Sequence, residues 1–241
     1  GGWPGAAGRW TALARGGVGL IVTGHIAVDP CGKAGPMMAG LYAERHVEAW
    51  KRAAEAAHEA GGLICAQINH AGGRCKAPDA SVASAVAPGP VCVSPLPDRP
   101  KDPMGGTPMS GETIGRAIAA FAEAARRARD AGMDAVQIHA AHGYLGSQFL
   151  SPLSNRRTDE WGGTPEGRAR FLRRVVRAAR EALGDGFPLG MKLGAMDADD
   201  SGGLTVDDAL EAARGFVEDG LDFIEISGAF RPDIIERKIH P

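Results

Sequence analysis

Five short apolar segments predict buried β-strands at residues 18–23, 63–68, 135–139, 188–193 and 221–226. The first, Val-Gly-Leu-Ile-Val-Thr, is a continuous apolar run bounded by glycines, which is typical of a strand covered on both faces. Each of the other four follows a segment with helical features that ends at or near glycine. Helix and strand therefore alternate along the chain.

The helical segments carry recognisable start signals. They comprise an Ala-rich stretch at 42–60, a helix capped by Ser110 that runs to residue 131, a helix from Thr164 and Pro165 to residue 183, and a helix opened by Thr205 with Asp208 at its third position. Ser and Thr side chains accept hydrogen bonds from the unpaired amides of a first helical turn, and proline is tolerated there. The alternation predicts an α/β fold with a parallel sheet and right-handed crossovers.

Two architectures fit this pattern. The length of 241 residues matches an eight-stranded (β/α)8 barrel, which has about 250, but only five strands can be counted. The excess chain lies at 72–109, a segment rich in Pro, Gly, Ala and Ser that predicts a long functional loop. A five-stranded doubly wound sheet with its ligand at the switch point is the competing interpretation.

Composition and charge exclude several kinds of partner. The 27 basic and 29 acidic residues nearly cancel, which disfavours nucleic acid and anionic membrane surfaces. No apolar run approaches the roughly 18 residues of a spanning helix, so no membrane association is expected. Four dispersed cysteines lack the close pairing of zinc or iron–sulfur sites and favour a reducing, cytoplasmic location. The sequence also contains no dinucleotide-binding, Walker or serine-hydrolase motif.

The densest group of candidate catalytic residues is His139, His142 and Tyr144, directly after the strand at 135–138. In both α/β architectures the carboxyl ends of the strands face the ligand, so these side chains are candidates for proton transfer or oxyanion stabilisation. The alternative is that the histidines cap backbone groups and Tyr144 packs. A metal site is less favoured, because zinc enzymes use three protein ligands and His-x-x-His supplies two.

Three further strands end in a polar side chain. Gln67 carries both a donor and an acceptor and suits the edge of a planar heterocycle. Lys192 lies on an otherwise apolar strand, where an ammonium group requires an anion or polar partner; Glu225 is its candidate structural partner. His25 follows the first strand. Four of five strands thus deliver polar groups to one rim.

Residues 139–163, His-Ala-Ala-His-Gly-Tyr-Leu-Gly-Ser-Gln-Phe-Leu-Ser-Pro-Leu-Ser-Asn-Arg-Arg-Thr-Asp-Glu-Trp-Gly-Gly, closely resemble the signature of the Old Yellow Enzyme family of NADH:flavin oxidoreductases. The likeness continues through 165–171, and the segments 16–23, 67–72, 121–127 and 224–228 agree with it, so that nearly the whole chain is covered. The two-histidine form resembles the branch of bacterial ene-reductases and of the flavin barrel of dienoyl-CoA reductases.

The resemblance implies an FMN-dependent (β/α)8 barrel that takes hydride from NAD(P)H and reduces an activated C=C bond of a small molecule. His139 and His142 match the pair that hydrogen-bonds the substrate carbonyl or nitro oxygen, and Tyr144 matches the proton donor. Gln67 matches a contact to the flavin pyrimidine. Lys192 stands where many members have Arg beside flavin N1 and C2=O. His25 aligns with a small residue that touches the flavin.

The resemblance also implies missing parts. Members of the family have one strand before the segment that matches residue 1 and two strands after residue 241, whose loops hold the FMN phosphate. Residues 1–241 are therefore expected to form one partial barrel domain of five or six strands, with low stability and weak FMN binding when isolated. The alternatives are a catalytically silent fragment without flavin and a metal-dependent barrel hydrolase that uses His139 and His142. Assembly into a homo-oligomer is compatible with the sequence.

Overall fold

The computed structural model describes residues 6–76, 78–96, 105–197 and 202–229. The strands are β1 (Leu20–Val22), β2 (Ile26–Ala27), β3 (Leu63–Asn69), β4 (Val91–Cys92), β5 (Thr107–Pro108), β6 (Ala135–Ala140), β7 (Leu189–Gly194) and β8 (Phe223–Ser227). The helices are α1 (Ala6–Arg15), α2 (Glu44–His58), α3 (Gly111–Asp130), α4 (Leu145–Leu150), α5 (Pro165–Leu183) and α6 (Val206–Glu218).

The main sheet is parallel throughout and runs in the order β1, β3, β6, β7, β8, with β2 beside the carboxyl half of β3. This spatial order follows the order along the chain, whereas a doubly wound sheet reverses direction at its switch point. The doubly wound alternative is therefore wrong, and the curled sheet with its helices confirms the predicted incomplete (β/α)8 barrel. All five predicted strands are present; the first corresponds to β1, and β2 at Ile26–Ala27 lies beyond its predicted end at residue 23.

Alternate strand residues face opposite sides of the sheet. The apolar set packs against the helices in the main core: Ile64, Ala66, Ile68, Val136, Ile138, Ala140, Leu189, Met191 and Leu193. The intervening positions face the inner side of the curled sheet and include Gln67, His139 and Lys192. Because a strand side chain repeats every two residues, burying the apolar set fixes which polar groups meet on the inner face.

The predicted helix starts are confirmed. Ser110 Oγ accepts from the Thr113 amide at 3.2 Å, and Thr164 Oγ1 accepts from Gly167 N at 3.1 Å. Thr205 forms a full capping box, in which its hydroxyl accepts from Asp208 N and the Asp208 carboxylate accepts from Thr205 N. These bonds satisfy amides that would otherwise lack partners at the helix ends.

Several elements were not predicted. The sequence pattern did not predict the helices α1 and α4. The segment 72–109, expected as a loop, contains the small parallel pair β4–β5. Residues 77 and 97–104 of that segment lie outside the described residues. Arg157 connects the described part of the 72–109 segment to the barrel by donating to Val93 O and Met109 O. None of the described helices has the combination of length and apolar composition that crossing a membrane requires.

Phe171 on α5 lies at the centre of the packing between helices, and its substitution tests how much that packing stabilises the fold. Its ring is fully buried, stacks on Phe149 at a centroid distance of 4.3 Å and meets Phe121 edge-on at 6.2 Å. We expect Phe171→Ala to lower the free energy of unfolding by about 3–5 kcal/mol through lost burial and the cavity it leaves. Urea denaturation measures this. Arg170→Ala, a partly exposed neighbour, should change it by no more than about 0.5 kcal/mol, and equal effects would contradict the assignment.

Candidate active site

The carboxyl halves of four adjacent strands bring the predicted polar side chains together. In the register of the sheet, Gln67 on β3 lies opposite Gln137 on β6, and His139 on β6 lies opposite Lys192 on β7. Lys192 in turn lies opposite Glu225 on β8. The strand ends of a parallel barrel face the ligand, so this inner rim is the candidate active site.

Four of these side chains form a continuous polar network. Gln67 Nε2 donates to Gln137 Oε1 at 2.6 Å, Gln137 Nε2 donates to Glu225 Oε2 at 3.0 Å, and Lys192 Nζ lies 2.9 Å from Glu225 Oε1. A carboxylate can only accept, so Gln137 must turn its NH2 group to Glu225 and its oxygen to Gln67. That arrangement fixes the Gln67 amide as well. Its Oε1 and one N–H are left to face a ligand.

Lys192 forms an ion pair with Glu225. The sequence had indicated Glu225 as a structural partner, in place of a ligand, for this ammonium group. Burial alone would raise the pKa of Glu225, but hydrogen bonds from Lys192 and Gln137 outweigh it and lower that pKa. The rim therefore contains a compensated charge pair rather than an isolated ammonium group. The two interpretations of Lys192 are compatible, since an ammonium group has three donors and the pair uses one.

His139, His142 and Ser227 form a directional series of hydrogen bonds. The Ala141 amide donates to His139 Nδ1 at 3.3 Å, so the His139 proton resides on Nε2. His139 Nε2 then donates to His142 Nδ1 at 3.2 Å, and His142 Nε2 donates to Ser227 Oγ at 2.7 Å. A backbone amide thereby sets the tautomer of both imidazoles, and the outermost N–H points to the end of β8.

The histidines of the rim are neutral at pH 7. Burial, reinforced by the nearby His142, His25 and Lys192, lowers the pKa of His139 to about 2. Burial followed by Lys192 lowers the pKa of His142, and burial followed by His142 lowers that of His25. The imidazoles can therefore donate hydrogen bonds to a ligand oxygen without carrying charge.

Tyr144 stands at the start of α4, and its ring lies 5.3 Å from the His139 ring and 5.0 Å from the His25 ring, measured between centroids. Burial raises the pKa of its phenol. The hydroxyl thus stays protonated at neutral pH, as a proton donor requires. The structure brings all six predicted site residues to one rim.

Sequence reasoning did not single out Asn69, two residues beyond Gln67 on the same face of β3. Its side chain is fully buried, and its Nδ2 lies 2.9 Å from His25 Nδ1. Its Oδ1 has no hydrogen-bond partner among the described residues. A buried amide oxygen without a partner is costly, which makes Asn69 a further candidate ligand-binding residue. The signal available in the sequence was its two-residue spacing from Gln67, which places both side chains on the same face of the strand.

Asp29, Cys31 and His70 are the one group among the described residues whose side chains could together hold a metal ion. Their hydrogen bonds argue against that role. The Gly72 amide donates to His70 Nδ1 at 2.9 Å, so Nε2 carries the proton and has no free lone pair for a metal. Burial raises the pKa of the Cys31 thiol to about 12, which keeps it protonated. The group is a structural connection between the ends of β2 and β3.

Asp29 is also fully engaged. Its carboxylate accepts from the Cys31, Ala85 and Val86 amides and from the Ser84 hydroxyl. These four bonds occupy its acceptor sites and attach the 84–86 segment to the barrel. The carboxylate thus stabilises the long segment that follows β3, and it is not available to a cation.

The geometry agrees with comparisons to known proteins. A model of the NADH:flavin oxidoreductase / NADH oxidase family matches residues 10–232. The NADPH dehydrogenase of Bacillus subtilis (strain 168) is 37% identical over 222 residues, which are 91% of this chain and 61% of that protein. The chain thus spans about three fifths of the length of that curated relative.

Solved structures show the same architecture. A complex of 2-naphthoyl-CoA reductase with 2-naphthoyl-CoA superposes with a TM-score of 0.86 at 30% identity and covers 93% of this chain and 35% of that one. Morphinone reductase superposes with a TM-score of 0.77 at 27% identity, over 92% of this chain and 63% of its own. Both likenesses support the barrel fold.

The buried, neutral state of His139 predicts how stability depends on pH. The unfolded chain binds a proton at this histidine below about pH 6.5 and the folded chain does not, so stability is lost as the pH falls through 6.5. Between pH 7 and pH 5.5, we expect the free energy of unfolding to fall by about 1 kcal/mol less in His139→Asn than in the unaltered protein. Urea denaturation at several pH values measures this, and identical pH slopes in both proteins would contradict the prediction.

Proposed function

Because the chain belongs to the NADH:flavin oxidoreductase / NADH oxidase family, we propose that it is the part of an FMN-dependent oxidoreductase that holds the flavin ring and the substrate. FMN with NAD(P)H as the reductant follows from the family. The proposal is carried by one observation: the inner rim combines a flavin-type polar edge, formed by Gln67 and Lys192, with a separate donor group, formed by His139, His142 and Tyr144.

The polar edge fits the pyrimidine side of a flavin. That side has alternating N–H and C=O groups, and the Gln67 amide leaves one acceptor and one donor facing the rim. Asn69 Oδ1, which has no hydrogen-bond partner in the described part of the chain, supplies another acceptor. Lys192 supplies the cation that a flavin carrying negative charge at N1 and C2=O requires. We therefore assign the flavin ring to Gln67, Asn69 and Lys192, with His25 lining the rim beside Asn69.

The donor group fits an activated C=C bond conjugated to a carbonyl or nitro group. FMN held by Gln67, Asn69 and Lys192 would supply the hydride donated by NAD(P)H, for addition to the carbon distant from the activating group. The neutral N–H of His142 hydrogen-bonds the activating oxygen, where negative charge develops. His139, whose one N–H donates to His142 Nδ1, orients that imidazole toward the oxygen. The substrate oxygen replaces Ser227 as acceptor of the His142 N–H. Tyr144 delivers the proton to the adjacent carbon, which completes the net addition of two hydrogens.

A flavin titration tests this proposal. The protein is expressed with all of the chain that its reading frame encodes, titrated anaerobically with FMN and then treated with NADPH. We expect a visible flavin spectrum that NADPH bleaches and that an α,β-unsaturated ketone restores. Absence of FMN binding would favour a catalytically silent fragment, whereas bleaching without restoration by any activated alkene would refute the C=C substrate.

Residues 1–241 in isolation should bind FMN weakly. Apolar side chains on the two edge strands are exposed, among them Leu20 at 41% and Ile226 at 66%. Unburied apolar strand residues and unpaired sheet edges reduce the stability of an incomplete barrel.

Tyr144→Phe tests the proton donor. We expect the rate of alkene-dependent flavin reoxidation to fall about 10²- to 10⁴-fold, while flavin reduction by NADPH, which needs no proton from the phenol, is unchanged. Stopped-flow absorbance separates the two half-reactions. The chain's other tyrosine provides a matched control, since Tyr42 bonds Asp79 away from the rim. If Tyr42→Phe slowed reoxidation equally, the role assigned to Tyr144 would be wrong.

Lys192→Met tests the polar edge. Removal of the ammonium group leaves Glu225 as an unpaired anion beside the flavin, so we expect the Kd of FMN to rise at least about tenfold. Quenching of flavin fluorescence measures the Kd. Lys51→Met on the exposed surface of α2 is the control for loss of one positive charge. Equal Kd values for the two variants would place the flavin elsewhere.

A further inference from the structure

Gln148 is a buried polar residue of α4 that the proposed reaction does not use. Its side chain has no exposed surface, and its amide makes three hydrogen bonds to backbone groups. Nε2 donates to Gly143 O at 2.7 Å and to Ala71 O at 3.1 Å, and Oε1 accepts from Gly73 N at 3.2 Å. Both N–H groups and one acceptor site of the amide are therefore engaged.

These three bonds connect two turns that carry different parts of the rim. The Gly72–Arg74 turn follows β3, the strand with the flavin-binding candidates Gln67 and Asn69. The second turn, His142–Gly143–Tyr144, follows β6 and carries the proton donor. The Leu145 amide adds a direct bond to His70 O at 3.0 Å. Gln148 thus fixes the distance between β3 and the His142–Gly143–Tyr144 turn, which is called the proton-donor turn below.

The proton-donor turn needs such support because its backbone is strained. His142 has a φ of +58°, the one left-handed non-glycine among the described residues, and Gly143 follows with +72°. A left-handed conformation is unfavourable for a non-glycine residue and persists only where the surroundings determine it. The Gly228 carbonyl accepts from the His142 amide on one side of the turn. On the other side, Gln148 holds the Gly143 carbonyl, which fixes the peptide plane that leads into Tyr144.

The Gln148 side chain has little room for another conformation. A Cβ built on Gly72 would come within 2.4 Å of Gln148 Oε1, so the amide lies directly against the backbone of the Gly72–Arg74 turn. Gly72 itself has a φ of +58°. Close packing of this kind makes the amide a fixed spacer between the two turns.

We propose that Gln148 is a positioning residue for proton transfer: it holds the His142–Gly143–Tyr144 turn so that the Tyr144 hydroxyl meets the substrate carbon opposite the flavin. This inference rests on the proposed function. Misplacement of a reacting group by about 1 Å can cost 10²-fold in rate. The reduction of flavin by NADPH takes no proton from Tyr144. Loss of Gln148 should therefore slow one half-reaction and spare the other.

The test compares Gln148→Met with Asn155→Leu by stopped flow. Methionine keeps the volume of Gln148 and removes its three hydrogen bonds. Asn155 is also a buried amide, just after α4, and it donates to Phe149 O and Trp161 O rather than to the turn. We expect Gln148→Met to slow alkene-dependent reoxidation about 10- to 100-fold and to leave flavin reduction by NADPH within about twofold. Asn155→Leu should leave the ratio of the two rates unchanged.

Tyrosine NMR gives a second measurement that needs no flavin. Residues 1–241 contain two tyrosines. In protein labelled with ¹³C-tyrosine, the signal lost in Tyr144→Phe identifies Tyr144, and the signal lost in Tyr42→Phe identifies the internal reference. Gln148→Met should shift or broaden the Tyr144 signal and leave Tyr42 unchanged, and Asn155→Leu should move neither. An unchanged Tyr144 signal, or equal slowing of both half-reactions, would overturn the positioning role. Failure of the unaltered protein to bind FMN would instead refute the proposed function, and the NMR comparison would still decide the role of Gln148.

Discussion

The parallel register of the sheet is the constraint on which the rest of the structure depends. Burial of every second strand residue against the helices leaves the alternate residues on the inner face, and the register then determines which of them are neighbours. Gln67 meets Gln137, and Lys192 meets both His139 and Glu225. A shift of one residue would place these polar groups in the apolar core. The energy of core packing therefore maintains the geometry of the rim.

The electrostatics of the rim follow from two acceptors with fixed roles. The Glu225 carboxylate can only accept, which orients Gln137 and then Gln67, and it also balances the charge of Lys192. His139 Nδ1 accepts from a backbone amide, which orients both histidines as neutral donors. The Gln67 amide and the outward His142 N–H are thus oriented without a ligand, and we propose that they meet the flavin and the substrate oxygen. Such preorganisation reduces the reorganisation required during reaction.

Buried polar side chains hold the backbone around the site. Asp29 attaches the 84–86 segment beside the end of β2. Gln148 joins the turn after β3 to the turn after β6. Neither side chain touches the inner rim through a free polar group. Their role is to fix backbone that core packing alone leaves undetermined, including the left-handed His142.

The sequence by itself determined the strands, the capped helix starts and the rim position of His139, Tyr144 and Lys192, because these depend on local periodicity and on the strand-end rule of α/β folds. Periodicity alone left a doubly wound sheet as the alternative; the resemblance to the flavin oxidoreductase family favoured the barrel, and the strand order confirmed it. The sequence offered Glu225 as one of two interpretations of Lys192, and the tertiary structure showed that the two residues form an ion pair. Only the tertiary structure showed that Asn69 Oδ1 has no partner among the described residues and that Gln148 joins two turns, because these features depend on contacts between residues distant in sequence.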